Sequence, residues 1–326
     1  MAPEHWATQS PVTDPGEASS AIDALDASLP SLRFASSQLV FHYRAGDFAQ
    51  AGVPTTRMTE IDTRFAAPMF ARILAATPDD PGPDSGAAPP SPSPLSRARP
   101  GADRTVGCCR DAAVLLAALA RRKGVPARVR VGFAAYLRRG WWLDHVVTEV
   151  WDAAARRWRL VEAEVEDDVV LERGPEDGGG GGGVDYLDLR RGVDFLAGGE
   201  AWMAARRGEV DARRFVVAPE LAMPLLRGWP YLAHNVAHDL AALNKTEMLL
   251  WDTWGFQDHL DDGVTAEDEA LLDEVSPALA DVDITPDKVA ELAARDEFLI
   301  PTTVTSADPL GGPLRQVDVT KVLGVA

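Results

Sequence analysis

Gly107-Cys108-Cys109-Arg110-Asp111-Ala112-Ala113 opens a run in which Leu115, Leu116, Leu119 and Ala120 follow at helical spacing, and Gly124-Val125-Pro126 ends it. A helix apolar on most sides is predicted to be buried. Its N-terminus offers unpaired N–H groups and the positive end of the dipole, so a thiol there is expected to gain stability as a thiolate. Cys109 stands in that first turn. Two adjacent cysteines differ by roughly 100° around a helix, so at most one takes the productive direction and the other is filler. A buried cysteine acting as a small hydrophobe is the plainer reading of either.

Downstream, Ala127 to Tyr136 alternates as a strand, with Val129, Val131 and Phe133 on one face and Arg128 and Arg130 on the other. Leu143 to Trp151 and Arg157 to Val165 read as two more strands forming a hairpin around Asp152-Ala153-Ala154-Ala155-Arg156. A turn centred between Ala153 and Ala154 pairs Val147 with Leu160, Glu149 with Trp158 and His145 with Glu162. Alternation then puts Glu162 in the apolar stripe of Trp158 and Leu160, where a buried acid needs a partner, and His145 is the obvious one. A three-residue loop or a bulge would offer Ala163 instead, and Glu164, on the face of Glu162, is the alternative acid. Thiol, imidazole and carboxylate thus follow in the order of a nucleophile, a base and a group that orients the base.

The motifs are G-x-C-R-D-x-A from Gly107, R-x-x-G-V-P-A-R-V-R-x-G-F, D-H-x-x-x-E-x-W-D and R-W-x-L-V-acid-A. Together they resemble the transglutaminase-like superfamily, which groups transglutaminases, microbial cysteine proteases and peptide N-glycanases. The resemblance covers Gly107 to about Asp167. Gly199 to Gly208 and Asp239 to Gly255 are similar to the tail of a branch of uncharacterised microbial transglutaminase-like proteins. The resemblance implies a papain-like α+β core, with the Cys helix packed on an antiparallel sheet and additional N- and C-terminal helices. It also implies that Cys109 is the nucleophile, His145 the base and Glu162 the third member. Aspartate is usual at that last position, and glutamate reaches one methylene further. The implied activity is acyl transfer on the amide bonds of a protein or peptide through a thioester, with hydrolysis placed ahead of amine crosslinking and no cofactor. The backbone N–H of Cys109 is the first candidate for the oxyanion donor.

The rest of the chain bounds this reading. It has 326 residues, 46% of them hydrophobic, and a net charge of −18, which argues against nucleic acid because that affinity rests on cationic side chains. Apolar runs such as Val114 to Ala120 fall short of the roughly 18 to 20 residues of a membrane span. The only two cysteines are adjacent, so no disulfide framework is expected and a cytoplasmic location is. Residues 1–17 are expected to be a mobile terminus. Residues 18–262 should form the transglutaminase-like domain, with a motif core at 103–168 and flexible insertions at 78–102 and 174–183, and 263–326 a C-terminal extension. Helices are predicted over Ser31 to Tyr43, Met58 to Leu74, Val193 to Arg207, Pro230 to Leu250 and Pro286 to Leu299, with Thr285 capping the last. The final stretch reads as irregular.

Two other readings compete. One is a non-catalytic scaffold that keeps the core for protein binding. The other is a metal hydrolase using His234 and His238, four apart on a helix, with Asp239, Glu247 or His259 as third ligand. Asn235 follows His234 where the usual motif has glutamate, so no metal site is expected there.

Overall fold

A computed structural model of the chain describes residues 3–76, 93–167, 169 and 183–325. After short helical turns come α1 (Ser19–Asp23), α2 (Leu29–Ser37), β1 (Val40–His42) and α3 (Ala66–Ala75). β2 (Thr105–Gly107) leads into α4 (Cys109–Arg122), and then β3 (Ala127–Ala134), β4 (Trp142–Asp152) and β5 (Arg157–Val161) follow. β6 (Phe195–Ala197), α5 (Gly198–Arg206), β7 (Phe215–Val216) and α6 (Gly228–Leu243) come next. The chain ends with β8 (Asp252–Thr253), α7 (Ala266–Ala280), α8 (Pro286–Ala293), β9 (Thr303–Ser306), β10 (Arg315–Asp318) and α9 (Thr320–Leu323).

The architecture is the expected α+β one. The central sheet runs β5-β4-β3-β6 with antiparallel pairing, and β7 lies parallel to the start of β4. Every residue of α4 except Arg122 is buried, because the helix packs on β3 and β4 and is also covered by α1, α2 and α3. Both faces of β3 are buried as well. Its arginines, Arg128 and Arg130, therefore find carboxylates inside: both bond Glu149 of β4, and Arg130 also bonds Asp239 of α6. A Cβ on Gly132 would come within 2.1 Å of the Leu196 carbonyl oxygen, so β3 and β6 can pair this closely only with glycine there.

Several expectations change. The hairpin register is shifted by two residues: Glu149 pairs with Leu160, Trp151 with Trp158, and β5 ends at Val161, so Glu162 has no ladder partner. Asp152 explains the shift. Its carboxylate accepts the N–H groups of Ala154 and Ala155, which makes Ala153 to Arg156 a four-residue turn with Arg156 in the left-handed region (φ 53°). The segment read as a helix from Ser31 divides into α2 and β1, and that from Met58 into a 3-10 turn and α3. Val193 to Arg207 begins as β6 before α5. Thr285 does cap α8 through Lys288 N–H. The last residues pair as β8-β9-β10 rather than remaining irregular, and Leu272, Val304 and Val319 of the C-terminal extension join the main core.

Residues 3–17, loose by composition, are held instead. Trp6 is 2% exposed, donates Nε1–H to the Leu243 carbonyl (3.0 Å) and packs edge-on to Trp158, with the Arg128 guanidinium 5.0 Å from its ring centre. Ser10 donates to Glu247 at 2.9 Å. Most of the insertion at 78–102 and nearly all of that at 174–183 lie outside the described residues. From residue 93 onward the first is seated, with Leu95 buried and Ser93 donating to the Ala21 carbonyl. Composition cannot show such seating, because one tryptophan anchors a polar segment. Trp6→Ala is expected to lower the unfolding free energy by ~3–5 kcal/mol in urea denaturation. A loss under ~1 kcal/mol would mean that the terminus is loose after all.

Candidate active site

The thiol end of the candidate site is built by its own motif. Cys108 precedes α4 in extended geometry (φ −141°, ψ −174°) and donates its N–H to Asp111 Oδ2 at 2.9 Å. A Cβ on Gly107 would lie 2.5 Å from that same oxygen, which explains the glycine. Arg110 points into the protein. It donates to Asp111 Oδ1 (2.9 Å), to the carbonyls of Arg64 (2.9 Å) and Met248 (3.3 Å), and to that of Glu247. The Arg-Asp pair is thus a bracket that fixes the first turn of α4 against the segment after α6.

Both thiols are buried, Cys109 at 5% exposure. The expectation of a thiolate favoured by the helix dipole is not met. A hydrogen bond with Cys108, burial and the nearby acids Glu164 and Asp144 hold the Cys109 thiol well above its ordinary range. A thiol in this setting needs a base beside it.

The imidazole beside it comes from β4. His145 is buried and its Nε2 lies 2.8 Å from Glu162 Oε2. Burial alone would lower the imidazole, but the charge and hydrogen bond of Glu162, with Glu164 and Asp144 further off, leave it raised overall. Glu162 is fully committed. Tyr136 O–H also donates to Oε2, while the N–H groups of Glu164 (2.8 Å) and Val165 (3.2 Å) donate to Oε1. Burial opposes its charge, yet His145 and these donors bring the carboxyl down to about 2. The two-residue register shift left Glu162 on the face of His145, since an even shift preserves the face. Beyond β5 the chain bends back to His145, held by Glu162 N–H to the Tyr186 carbonyl (2.9 Å) and by Arg33 Nε to the Glu162 carbonyl (3.1 Å).

Glu164, the alternative acid, takes a different place. Its carboxylate oxygen, Cys109 Sγ and a ring nitrogen of His145 lie within 4.8 Å of one another. Its Oε1 is buried without a hydrogen-bond partner. Burial pushes this carboxyl up to about 8, opposed by His145 and helped by the charges of Glu162 and Asp111. Nearby, burial raises Asp144 to about 6 against hydrogen bonds from Tyr231 and Asn235.

The second histidine pair is structural. His234 Nε2 is 2.9 Å from the Leu250 carbonyl and His238 Nε2 is 2.9 Å from the Asp252 carbonyl, so each ring N–H is spent on backbone, and the rings lie 4.2 Å apart. Asp239 and Glu247 are likewise engaged, by Arg130 and by Arg121, and His259 bonds Asp268. Surface cavities of about 440 and 520 Å³ are lined by Trp142, Met203 and Arg207 and by Trp141, Arg213 and Arg227. Neither is lined by Cys109, His145 or Glu162. No helix among the described residues is long and apolar enough to cross a membrane.

A thiol at the start of a buried helix, an imidazole on the antiparallel sheet beneath it and a carboxylate behind the imidazole define a papain-like core of the thiol-imidazole-carboxylate class. The family model of the transglutaminase-like superfamily matches residues 84–163 of the chain. The match contains Cys109, His145 and Glu162 and stops before Glu164. No curated protein and no solved structure matches the chain.

Sequence reading missed Tyr136 and Arg33. Tyr136 was in reach: Gly132 pairs with His145, so Tyr136 lies on the His145 face of β3, but this needs the β3–β4 register, which the loop over 135–141 does not reveal. Arg33 comes from a distant helix and leaves no local signal. For the structural pair, burial brings His234 down to about 4 and His238 well below the ordinary 6.5. The unfolded chain therefore takes up protons first as pH falls, so their contribution is complete above about pH 6.5 and is lost as pH drops toward 4. His234→Gln is expected to make the decline in unfolding free energy between those pH values shallower than in the parent. Parallel curves would show that His234 titrates normally.

Proposed function

We propose that the chain is a cysteine-dependent acyl-transfer enzyme acting on amide bonds of a protein or peptide, with Cys109 as nucleophile, His145 as base and Glu162 as the group that orients the base. The observation that carries this is the placement of His145, with a ring nitrogen within 4.8 Å of Cys109 Sγ while Nε2 is 2.8 Å from Glu162. With Nε2–H donated to the carboxylate, Nδ1 is the nitrogen available to the thiol. In the proposed reaction it takes the thiol proton as sulfur attacks the amide carbonyl. The backbone N–H of Cys109 is the candidate donor to the oxyanion. The C–N bond then breaks, the leaving amine receives the proton from His145 and a thioester remains. Water, activated by the same imidazole, releases a carboxylic acid, or an amine attacks and forms a new amide. Because the thiol is held protonated at rest, this reading uses general-base attack rather than a standing thiolate–imidazolium pair.

Glutamate in place of the family's aspartate suits this geometry. Its longer arm reaches His145 and Tyr136 with one oxygen and two backbone N–H groups with the other. The scaffold reading draws its support from the burial of Cys109, and a partner pull-down that survives Cys109→Ala with no thiol reactivity would favour it.

Iodoacetamide labelling of the intact chain, followed by peptide mass spectrometry, tests the proposal. Cys109 is expected to react faster than Cys108, and His145→Ala should slow it by ~100-fold or more. Equal, slow labelling of both cysteines would sink the idea. Glu162→Asp and Tyr136→Phe should each slow Cys109 labelling by about tenfold, because each removes one hydrogen bond to a charged group. An aspartate variant that reacts faster than the parent would overturn the account of the longer arm.

A further inference from the structure

The acyl-transfer reading leaves one group at the site without a task. Glu164 keeps a buried carboxylate oxygen, Oε1, without a partner, and its carboxylate lies within 4.8 Å of a thiol and an imidazole nitrogen, where an anion is costly and a neutral acid gains nothing. A second observation gives it one. Nε2 of His145 is tied to an ionised carboxylate, itself held by Tyr136 and two backbone N–H groups. This is how a metal-bound histidine is usually held, with the carboxylate fixing the tautomer and raising the basicity of the free nitrogen.

We propose that Cys109 Sγ, His145 Nδ1 and a Glu164 carboxylate oxygen form a zinc site that closes over the nucleophile. Among the described residues these three make up the cluster of His, Cys and carboxylate groups able to converge on one ion. A sulfur, nitrogen and oxygen donor set selects Zn²⁺ over the hard cations Mg²⁺ and Ca²⁺. Tetrahedral zinc needs donors about 3.5 Å apart, so the three atoms, now within 4.8 Å of one another, must close by up to about 1.3 Å. Glu164 can supply most of that movement, since it follows β5 on a bend and its Oε1 has no bond to give up. On binding, the Cys109 S–H proton and any proton on Glu164 pass to solvent, His145 keeps Nε2–H on Glu162, and water takes the fourth position. One thiolate and one carboxylate then balance the ion's charge. The orphaned acid thereby gains a partner, and the thiol becomes unavailable for attack.

The site shares its thiol with the proposed acyl transfer but does not depend on that chemistry, because it is defined by ligation and can be measured without an acyl substrate. The test uses the whole, metal-free chain and Co²⁺ as a spectroscopic stand-in. Titration should produce a thiolate-to-cobalt charge-transfer band with the strong visible absorption of tetrahedral cobalt, both removed by Zn²⁺. Cys108→Ser should keep the bands and Cys109→Ser should lose them. Parent protein blocked beforehand with iodoacetamide serves the same purpose should the serine variant not fold. Glu164→Gln, confirmed as folded by circular dichroism, should weaken Zn²⁺ binding in calorimetry by tenfold or more. Zn²⁺ should also protect Cys109 from alkylation. Absence of the cobalt bands, bands that follow Cys108 instead, or Zn²⁺ affinity unchanged in Glu164→Gln would each overturn the proposal. Failure of the acyl-transfer reading has a separate signature, namely metal-free labelling of Cys109 that ignores His145→Ala.

Discussion

A helix without a solvent face has to be wrapped, and the sheet and the N-terminal elements are the wrapping of α4. The sheet covers one side, and α2, α3 and the N-terminal turns cover the others. The chain entering such a helix cannot turn to water either, so Asp111 accepts the N–H of Cys108 and Arg110 ties Asp111 to a distant carbonyl. The same burial decides the state of the thiol. The helix dipole favours a thiolate, but the hydrogen bond with Cys108, desolvation and two neighbouring acids outweigh it. Burying the helix therefore leaves a protonated thiol near the His145 ring.

Glu162 answers a related problem on the sheet side. A charge fully removed from water is costly unless every lone pair is engaged, and four donors converge on this carboxylate. Two of them are backbone N–H groups from the bend that follows β5, so the acid is held by the turn it helps to shape. Arg33 grips that bend from α2 through the carbonyls of Glu162 and Val165 and through Asp167. The Arg128, Arg130, Arg191 and Glu149 network makes the same accommodation deeper in the sheet.

Periodicity made α4, β3 and the β4–β5 hairpin legible, because burial on one or both faces leaves a clear pattern. The motifs supplied Cys109, His145 and Glu162. The face of Glu162 was also legible, yet its pairing was not: the turn is set by the side chain of Asp152 accepting two N–H groups, a choice that strand pattern cannot weigh. β1, β6 and the C-terminal strands were hidden because each is only two to four residues long, too short to show a period. Tyr136, Arg33 and the seating of Trp6 are long-range contacts, and no window along the chain contains both partners. Glu164 was read as a substitute for Glu162 because the two share a face; only side-chain geometry separates their environments.

The anchoring of Trp6 beneath Leu243, with Ser10 on Glu247, also bears on how the chain is made. Contacts this distant along the chain close slowly, and a ribosome delivers the N-terminus first. The opening residues can meet Ala118, Arg121 and Arg128 early, but the bonds to Leu243 and Glu247 that lock them close only after that later segment has emerged.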